Sequence, residues 1–135
     1  MVDSNETGTG LYMIVSQASH TGNDSLDGGD GNDILFGNQG LDILNGGSGD
    51  DVMTAGSLAD LFFFSSGADV ITDTSFDDTV QLDASLWSGD LSAQEVVDQF
   101  GEVTEAGVLL DFGDGNSLQL DNVTDIEALA LQIEI

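Results

Sequence analysis

Seven aspartates stand nine residues apart in this chain, at Asp24, Asp33, Asp42, Asp51, Asp60, Asp69 and Asp78. A carboxylate repeated on so short a period offers hard oxygen donors in register, and the chemistry such donors do best is to hold a hard cation. Calcium takes about six to eight oxygens, from carboxylates and backbone carbonyls, at about 2.3 to 2.6 Å. Zinc and copper favour His or Cys ligands, and the chain has one His, His20, and no Cys. Magnesium retains much of its water and is seldom caged by protein carbonyls. The donor set therefore selects calcium.

The elements that must position these carboxylates follow from what flanks them. Two residues after each aspartate stands a large apolar side chain: Leu26, Leu35, Leu44, Met53, Phe62, Ile71 and Val80. Two residues before it stands glycine at Gly22, Gly31, Gly40, Gly49 and Gly67, with Leu58 and Phe76 in the remaining two places. Written from Ser19, the frames read SHTGNDSLD, GGDGNDILF, GNQGLDILN, GGSGDDVMT, AGSLADLFF and FSSGADVIT. A nine-residue period is too short for a helical repeat and predicts a solenoid of tight turns and very short strands. Each frame divides into a six-residue turn and a three-residue strand whose central side chain faces a narrow core. Two frames make one coil, so frames two apart stack at about 4.8 Å. That places Asp24, Asp42 and Asp60 in one column and Asp33, Asp51 and Asp69 in the other. Carboxylates stacked so closely repel one another, and a divalent cation between the turns reverses the sign of that energy.

Composition sharpens the requirement. The chain of 135 residues carries 26 acidic side chains and no Lys or Arg, for a formal net charge of −26. No ion pair to a basic side chain can form, so the fold must import cations or live in salt strong enough to screen its own repulsion. Nucleic-acid backbones and anionic membranes are both gripped through Lys and Arg, which excludes both as expected partners. With 40% hydrophobic residues, the chain can still build one modest core, and it lacks the composition of a disordered tract.

The frames GGDGNDILF, GNQGLDILN and GGSGDDVMT resemble the glycine- and aspartate-rich nonapeptide of the repeats-in-toxin (RTX) family of calcium-binding proteins. The resemblance implies a mainly β fold, a right-handed parallel β-roll with calcium between stacked turns. Its ligands would be the six aspartates from Asp24 to Asp69 and carbonyls at the first, second and fourth frame positions. Those are Gly28, Gly29, Gly31, Gly37, Asn38, Gly40, Gly46, Gly47 and Gly49, with Gly22 as the fourth position of the first frame. About three or four calcium ions are expected, centred on 22–60, with Asp69 and Asp78 read as a transition into a cap. The resemblance further implies a bacterial, extracellular protein exported by type I secretion machinery, with a signal in its last residues.

Residues 1–18 are read as a polar segment and a capping strand, 19–81 as the roll, and 82–135 as a C-terminal β-rich cap with one or two short helices. Leu11–Val15 is too short for a signal core or a membrane span. Ser92 and Glu95 form a capping-box pattern ahead of Ala93, Val96, Val97 and Phe100 on one helical face, with Gly101 at the C-terminus. Residues 107–120 read as a hairpin turning at 113–116, Thr124 with Glu127 as the start of a second helix, and 131–135 as a final strand. Ile34, Val52 and Val70 on one sheet, and Ile43 and Leu61 on the other, point outward by alternation. They suit either strand propensity or a docking surface for the C-terminal segment or another molecule.

Catalysis finds little support. The zinc-protease motif HExxH of secreted RTX proteases needs two His, no Lys is present for a Schiff base, and the Asp77–Asp78 pair is weak evidence in so acidic a chain. The expectation is a non-catalytic module that folds on calcium. The alternatives are an adhesive or self-assembling scaffold within a larger exoprotein, and a carbohydrate-binding accessory, which the absence of any basic groove disfavours.

Overall fold

The computed structural model describes residues 21–135 and the strand backbones Asp3–Asn5 and Leu11–Val15; His20 lies outside the described residues. In chain order the strands are β1 (Asp3–Asn5), β2 (Leu11–Val15), β3 (Ser25–Asp27), β4 (Asn32–Gln39), β5 (Ile43–Asn45), β6 (Val52–Ser57) and β7 (Leu61–Phe64). They continue with β8 (Ala68–Ile71), β9 (Thr79–Leu82), β10 (Gly101–Val103), β11 (Gly107–Gly113), β12 (Asn116–Asp121) and β13 (Ile133–Glu134). Odd and even strands of the repeat separate into two sheets, ordered β1-β3-β5-β7-β9-β13 and β10-β11-β12-β8-β6-β4-β2. Within the repeats all pairing is parallel, and each strand meets the one two frames away. This is a parallel β-roll with one coil per two frames.

The register places Leu26, Leu44, Phe62, Val80 and Ile133 in one row. Leu35, Met53, Ile71 and Leu120 form the other. All nine side chains are buried, each contributing about 2 kcal/mol through removal of apolar surface from water. The strands are not uniform, however. Those of the first sheet keep close to the expected three residues, whereas β4 runs on through Asn38 and Gln39, which pair with Gly56 and Ser57.

Beyond β9, Asp83 caps a short 3-10 turn at Ala84–Leu86 by accepting the Ser85 N–H at 2.8 Å. Helix α1 (Ala93–Phe100) begins with the capping box, the Ser92 N–H donating to Glu95 Oε2 at 2.8 Å. Val96 and Val97 are buried, and Ala93 and Phe100 pack against the core. Gly101 ends the helix in extended backbone. Glycine is needed there because a Cβ would stand 2.5 Å from the Val97 carbonyl oxygen. Strands β11 and β12 form the expected hairpin, with Asp114 and Gly115 both at positive φ, +53° and +85°, as a type I′ turn requires. The second helix, α2 (Ile126–Leu129), is capped by Asp125 rather than Thr124. The Asp125 carboxylate accepts the N–H groups of Glu127 and Ala128 at 3.1 Å.

The C-terminal segment does not lie over the outer faces of the sheets. It lengthens both sheets instead: β12 pairs with β8 and β13 with β9, each in parallel. Phe64, Trp87, Phe100 and Phe112 lock this cap to the last coil, with ring centroids 5.0 to 6.4 Å apart. No helix among the described residues is long and apolar enough to cross a membrane.

Candidate metal centre

Between the sheets the turns stack in two columns. Turns 28–33, 46–51 and 64–69 run along one edge of the roll, and turns 37–42, 55–60 and 73–78 along the other. The side chains of Asp24, Asp33, Asp42, Asp51, Asp60, Asp69 and Asp78 are all buried. Each column is tied by one repeated hydrogen bond, in which the N–H of an aspartate donates to Oδ1 of the aspartate eighteen residues later. Asp24 donates to Asp42, Asp33 to Asp51 and Asp42 to Asp60 at 2.8 Å, Asp51 to Asp69 at 2.9 Å, and Asp60 to Asp78 at 3.0 Å. The ladder is thus a structural element in its own right, with one oxygen of Asp42, Asp51, Asp60, Asp69 and Asp78 engaged in stacking.

The second oxygen is where the chemistry lies. Oδ2 of Asp33, Asp42 and Asp51 is buried with no hydrogen-bond partner, as is Asp33 Oδ1. A buried carboxylate oxygen left so costs several kcal/mol unless something positive meets it. The three frames concerned are those whose first position is glycine. A Cβ on Gly28 would stand 2.5 Å from both Asp33 Oδ2 and the Gly46 carbonyl oxygen. On Gly37 it would stand 2.5 Å from Asp42 Oδ2 and 2.6 Å from the Ala55 carbonyl oxygen, and on Gly46 2.3 Å from Asp51 Oδ2. Glycine at position one therefore lets a carboxylate of one turn and, at Gly28 and Gly37, a carbonyl of the next approach the same small space. Among the described residues no three His, Cys, Asp or Glu side chains converge on a point. A cation here would be held by carbonyls and a few carboxylates, the oxygen-rich set that suits calcium.

Five of the other predicted carbonyls are brought together differently. Those of Gly22, Gly29, Gly31, Asn38 and Gly49 press on the Cα of Gly40, Gly47, Gly49, Gly56 and Gly67, where a Cβ would come within 1.7 to 2.0 Å. Stacking of turns this close needs glycine on sterics alone. The fourth position has positive φ from Gly22 through Gly67, and Leu58 takes it at +90°, so the fifth turn keeps that shape despite the substitution; Phe76 in the seventh turn does not adopt it.

Burial shapes the electrostatics. It pushes the Asp33 carboxyl up to about 6, with the charges of Asp51 and Asp27 adding to the rise. Asp60 is raised to about 7 by burial, against the Asp42 N–H and with Asp78, Asp42 and Asp73 contributing. Asp69 is raised to about 8 by burial, against the Asp51 N–H and with Asp51 and Asp50 contributing. Burial also raises Asp42 and Asp51.

The array has a visible end. Position one passes from glycine to Ala55 and then to buried Phe64, half-buried Asp73 and buried Leu82, so no glycine remains there beyond Gly46. Asp78 has both oxygens engaged, by Asp60 N–H and by Ser75 N–H at 2.7 Å. In the other column Leu118 stands opposite Asp69, where the next aspartate would be.

Several contributors escaped the reading from sequence. Asn23, Asn32 and Asp50, just before the ladder aspartates, accept the N–H groups of Leu41, Asp50 and Ala68 at 2.9 to 3.0 Å. Asp73 accepts from Ala55 and Gly56 at 3.1 and 2.7 Å. The Asn-Asp and Asp-Asp doublets were the available signal. The Ala55 carbonyl could have been found by continuing the first frame position one repeat further.

Residues 20–53 and, overlapping them, 27–62 match the family model described as RTX calcium-binding nonapeptide repeat (4 copies). Among solved structures the chain is similar to the AlgE6R3 subunit from the Azotobacter vinelandii mannuronan C5-epimerase, determined in solution. The likeness has a TM-score of 0.61 at 23% identity and covers 95% of this chain and 80% of that one. At that identity it bears on the fold, which is a β-roll in both. The chain matches none of the curated proteins at a significant level.

Proposed function

We propose that the RTX repeats of this chain make it a non-catalytic module that folds as it takes calcium, in the setting of a bacterial protein exported by type I secretion. The observation that carries this reading is the set of buried, unpartnered Oδ2 atoms on Asp33, Asp42 and Asp51, each in a frame with glycine at position one. Asp33, Asp42 and Asp51, with the carbonyls of Gly46 and Ala55, are the residues that would hold the ions, and the other first-, second- and fourth-position carbonyls would complete the shells. Bound calcium supplies positive charge where the stacked carboxylates have only each other. Binding to the folded state alone stabilises it by mass action. Where calcium is scarce the repulsion of −26 charges opposes compaction, and the chain stays open for passage through a narrow channel. The cap, 82–135, is assigned the closing of the roll and the export signal.

Circular dichroism during a calcium titration tests the reading. The expected result is a cooperative gain of β signal by millimolar calcium and little change with magnesium; a signal indifferent to calcium removes the proposal.

A further inference from the structure

The two edges of the roll differ on their outer surfaces. Along turns 28–33, 46–51 and 64–69 the exposed side chains are Asp30, Asn32, Ser48, Asp50, Ser65 and Ala68. Along the other edge, among exposed small and polar residues such as Ser57, Ser75 and Asp77, stand Leu41, 50% exposed, Leu58, 62%, and Phe76, 81%, beside Ile43, 40% exposed on the adjoining sheet face. Leu58 and Phe76 hold the same turn position one coil apart, a separation of about 4.8 Å along the column. Both stand where five other frames have glycine. Leu58 sits at φ +90°, which costs a bulky residue on the order of 1–3 kcal/mol, and its exposed side chain recovers little of this by burial. Next to the ridge lies a shallow groove of about 370 Å³, lined by Leu41, Ile43, Ala59, Leu61 and Thr79, by exposed Asp77 and Glu134, and by the buried ladder residues Asp42 and Asp60.

We propose that this edge docks a cationic amphipathic segment of another protein. Its apolar side chains would cover Leu41, Ile43, Leu58 and Phe76, and its Lys or Arg side chains would meet Asp77 and Glu134. Charge selects this occupant. A second copy would bring another −26, and no segment of this chain carries Lys or Arg. Anionic membranes are repelled on the same ground. Calcium held between the turns would leave the outer carboxylates uncompensated, so the groove stays acidic in the folded state.

The test uses the full, calcium-loaded chain at physiological salt. It is titrated with a fluorescent amphipathic Leu/Lys helix of about five turns, with a scrambled peptide of the same composition but no apolar face, and with phosphatidylcholine vesicles. The amphipathic peptide is expected to bind at least about tenfold tighter than the scramble. The combined Leu41→Ser, Ile43→Ser and Phe76→Ser variant should weaken it about tenfold at an unchanged calcium midpoint. Asp77→Asn with Glu134→Gln should weaken it about threefold and flatten its salt dependence. If the triple variant does not take up the calcium-induced fold, Phe76→Ser alone, at a largely exposed position, carries the comparison. Equal binding of the scramble, or undiminished binding by the variant that carries the comparison, overturns the proposal. So does calcium-dependent dimerisation or vesicle binding that the same variant abolishes, since a second copy or a lipid surface is then the occupant.

Discussion

The two columns of turns share one repeated stacking bond and diverge in what they place around it. In the column of Asp33, Asp51 and Asp69, glycine fills every fourth position, Phe64 follows Gly28 and Gly46 at position one, and every outward side chain of the turns is small or polar. In the column of Asp42, Asp60 and Asp78, Ala55 and Asp73 follow Gly37 at position one, and Leu58 and Phe76 replace the fourth-position glycine. The stacking hydrogen bonds are nonetheless alike, at 2.8 to 3.0 Å in both. The stacking bond therefore tolerates substitution both at position one, by Ala55 and Phe64, and at the fourth position, by Leu58 and Phe76.

The sharpest way to break the stacking is to add a methyl group inside it. Gly47→Ala puts a Cβ about 2.0 Å from the Gly29 carbonyl oxygen at φ +100° and should cost about 3 kcal/mol or more, read from urea unfolding in saturating calcium. Gly115→Ala, at similar φ but with nothing within 4 Å, should cost about 1 kcal/mol. Equal costs would show that conformation, and not turn stacking, sets the glycine requirement.

Within the ladder, Asp42→Asn should raise the calcium midpoint of folding by about tenfold or more, because it removes the charge at an unpartnered buried oxygen. Asp78→Asn, at a carboxylate already satisfied by Asp60 and Ser75 N–H groups, should shift it less than about threefold. Calcium titrations of the two variants side by side decide the point.

Acidity offers a third comparison. Asp33, Asp60 and Asp69 have folded-state values near 6, 7 and 8, above the ordinary carboxylate range. Without calcium the folded state holds protons that the unfolded chain releases, so this contribution is fully present below about pH 4 and is lost as pH rises through 6 to 8. Calcium needs the ionised form, so its contribution runs the other way and weakens as pH falls. Circular dichroism should show more apo structure at pH 4.5 than at pH 8, and calcium midpoints that rise on acidification. The smallest effect is expected at Leu58→Gly, which should stabilise the roll by about 1 kcal/mol by relieving positive φ while leaving the calcium midpoint nearly unchanged.

Most of the roll was legible because two periods coincide. The apolar side chain at position eight and the aspartate at position six return together, and a strand fixes which way each faces, so Leu44 and Asp42 could be placed without coordinates. The capping box at Ser92 and the Asp114–Gly115 turn were legible for the same local reason. What was not legible depended on contacts eighteen residues apart that involve backbone groups. The hydrogen bonds of the Asn32 type, the satisfied state of Asp78 and the convergence on the Ala55 carbonyl all need the coil-to-coil register before they can be seen. The parallel addition of β12 and β13 to the ends of the sheets was hidden too. It is a long-range pairing, and the short strands at 116–121 and 133–134 carry no mark of which edge they will join.

The length of the coil has a mechanical consequence. Eighteen residues that span about 60 Å when drawn out advance the roll by only about 4.8 Å. Each coil that orders therefore reels in more than nine-tenths of the contour it consumes. A chain whose unfolded portion is still threaded through an opening would be drawn forward as successive coils wind onto those already formed, and the cations that order the turns would set the force of that pull.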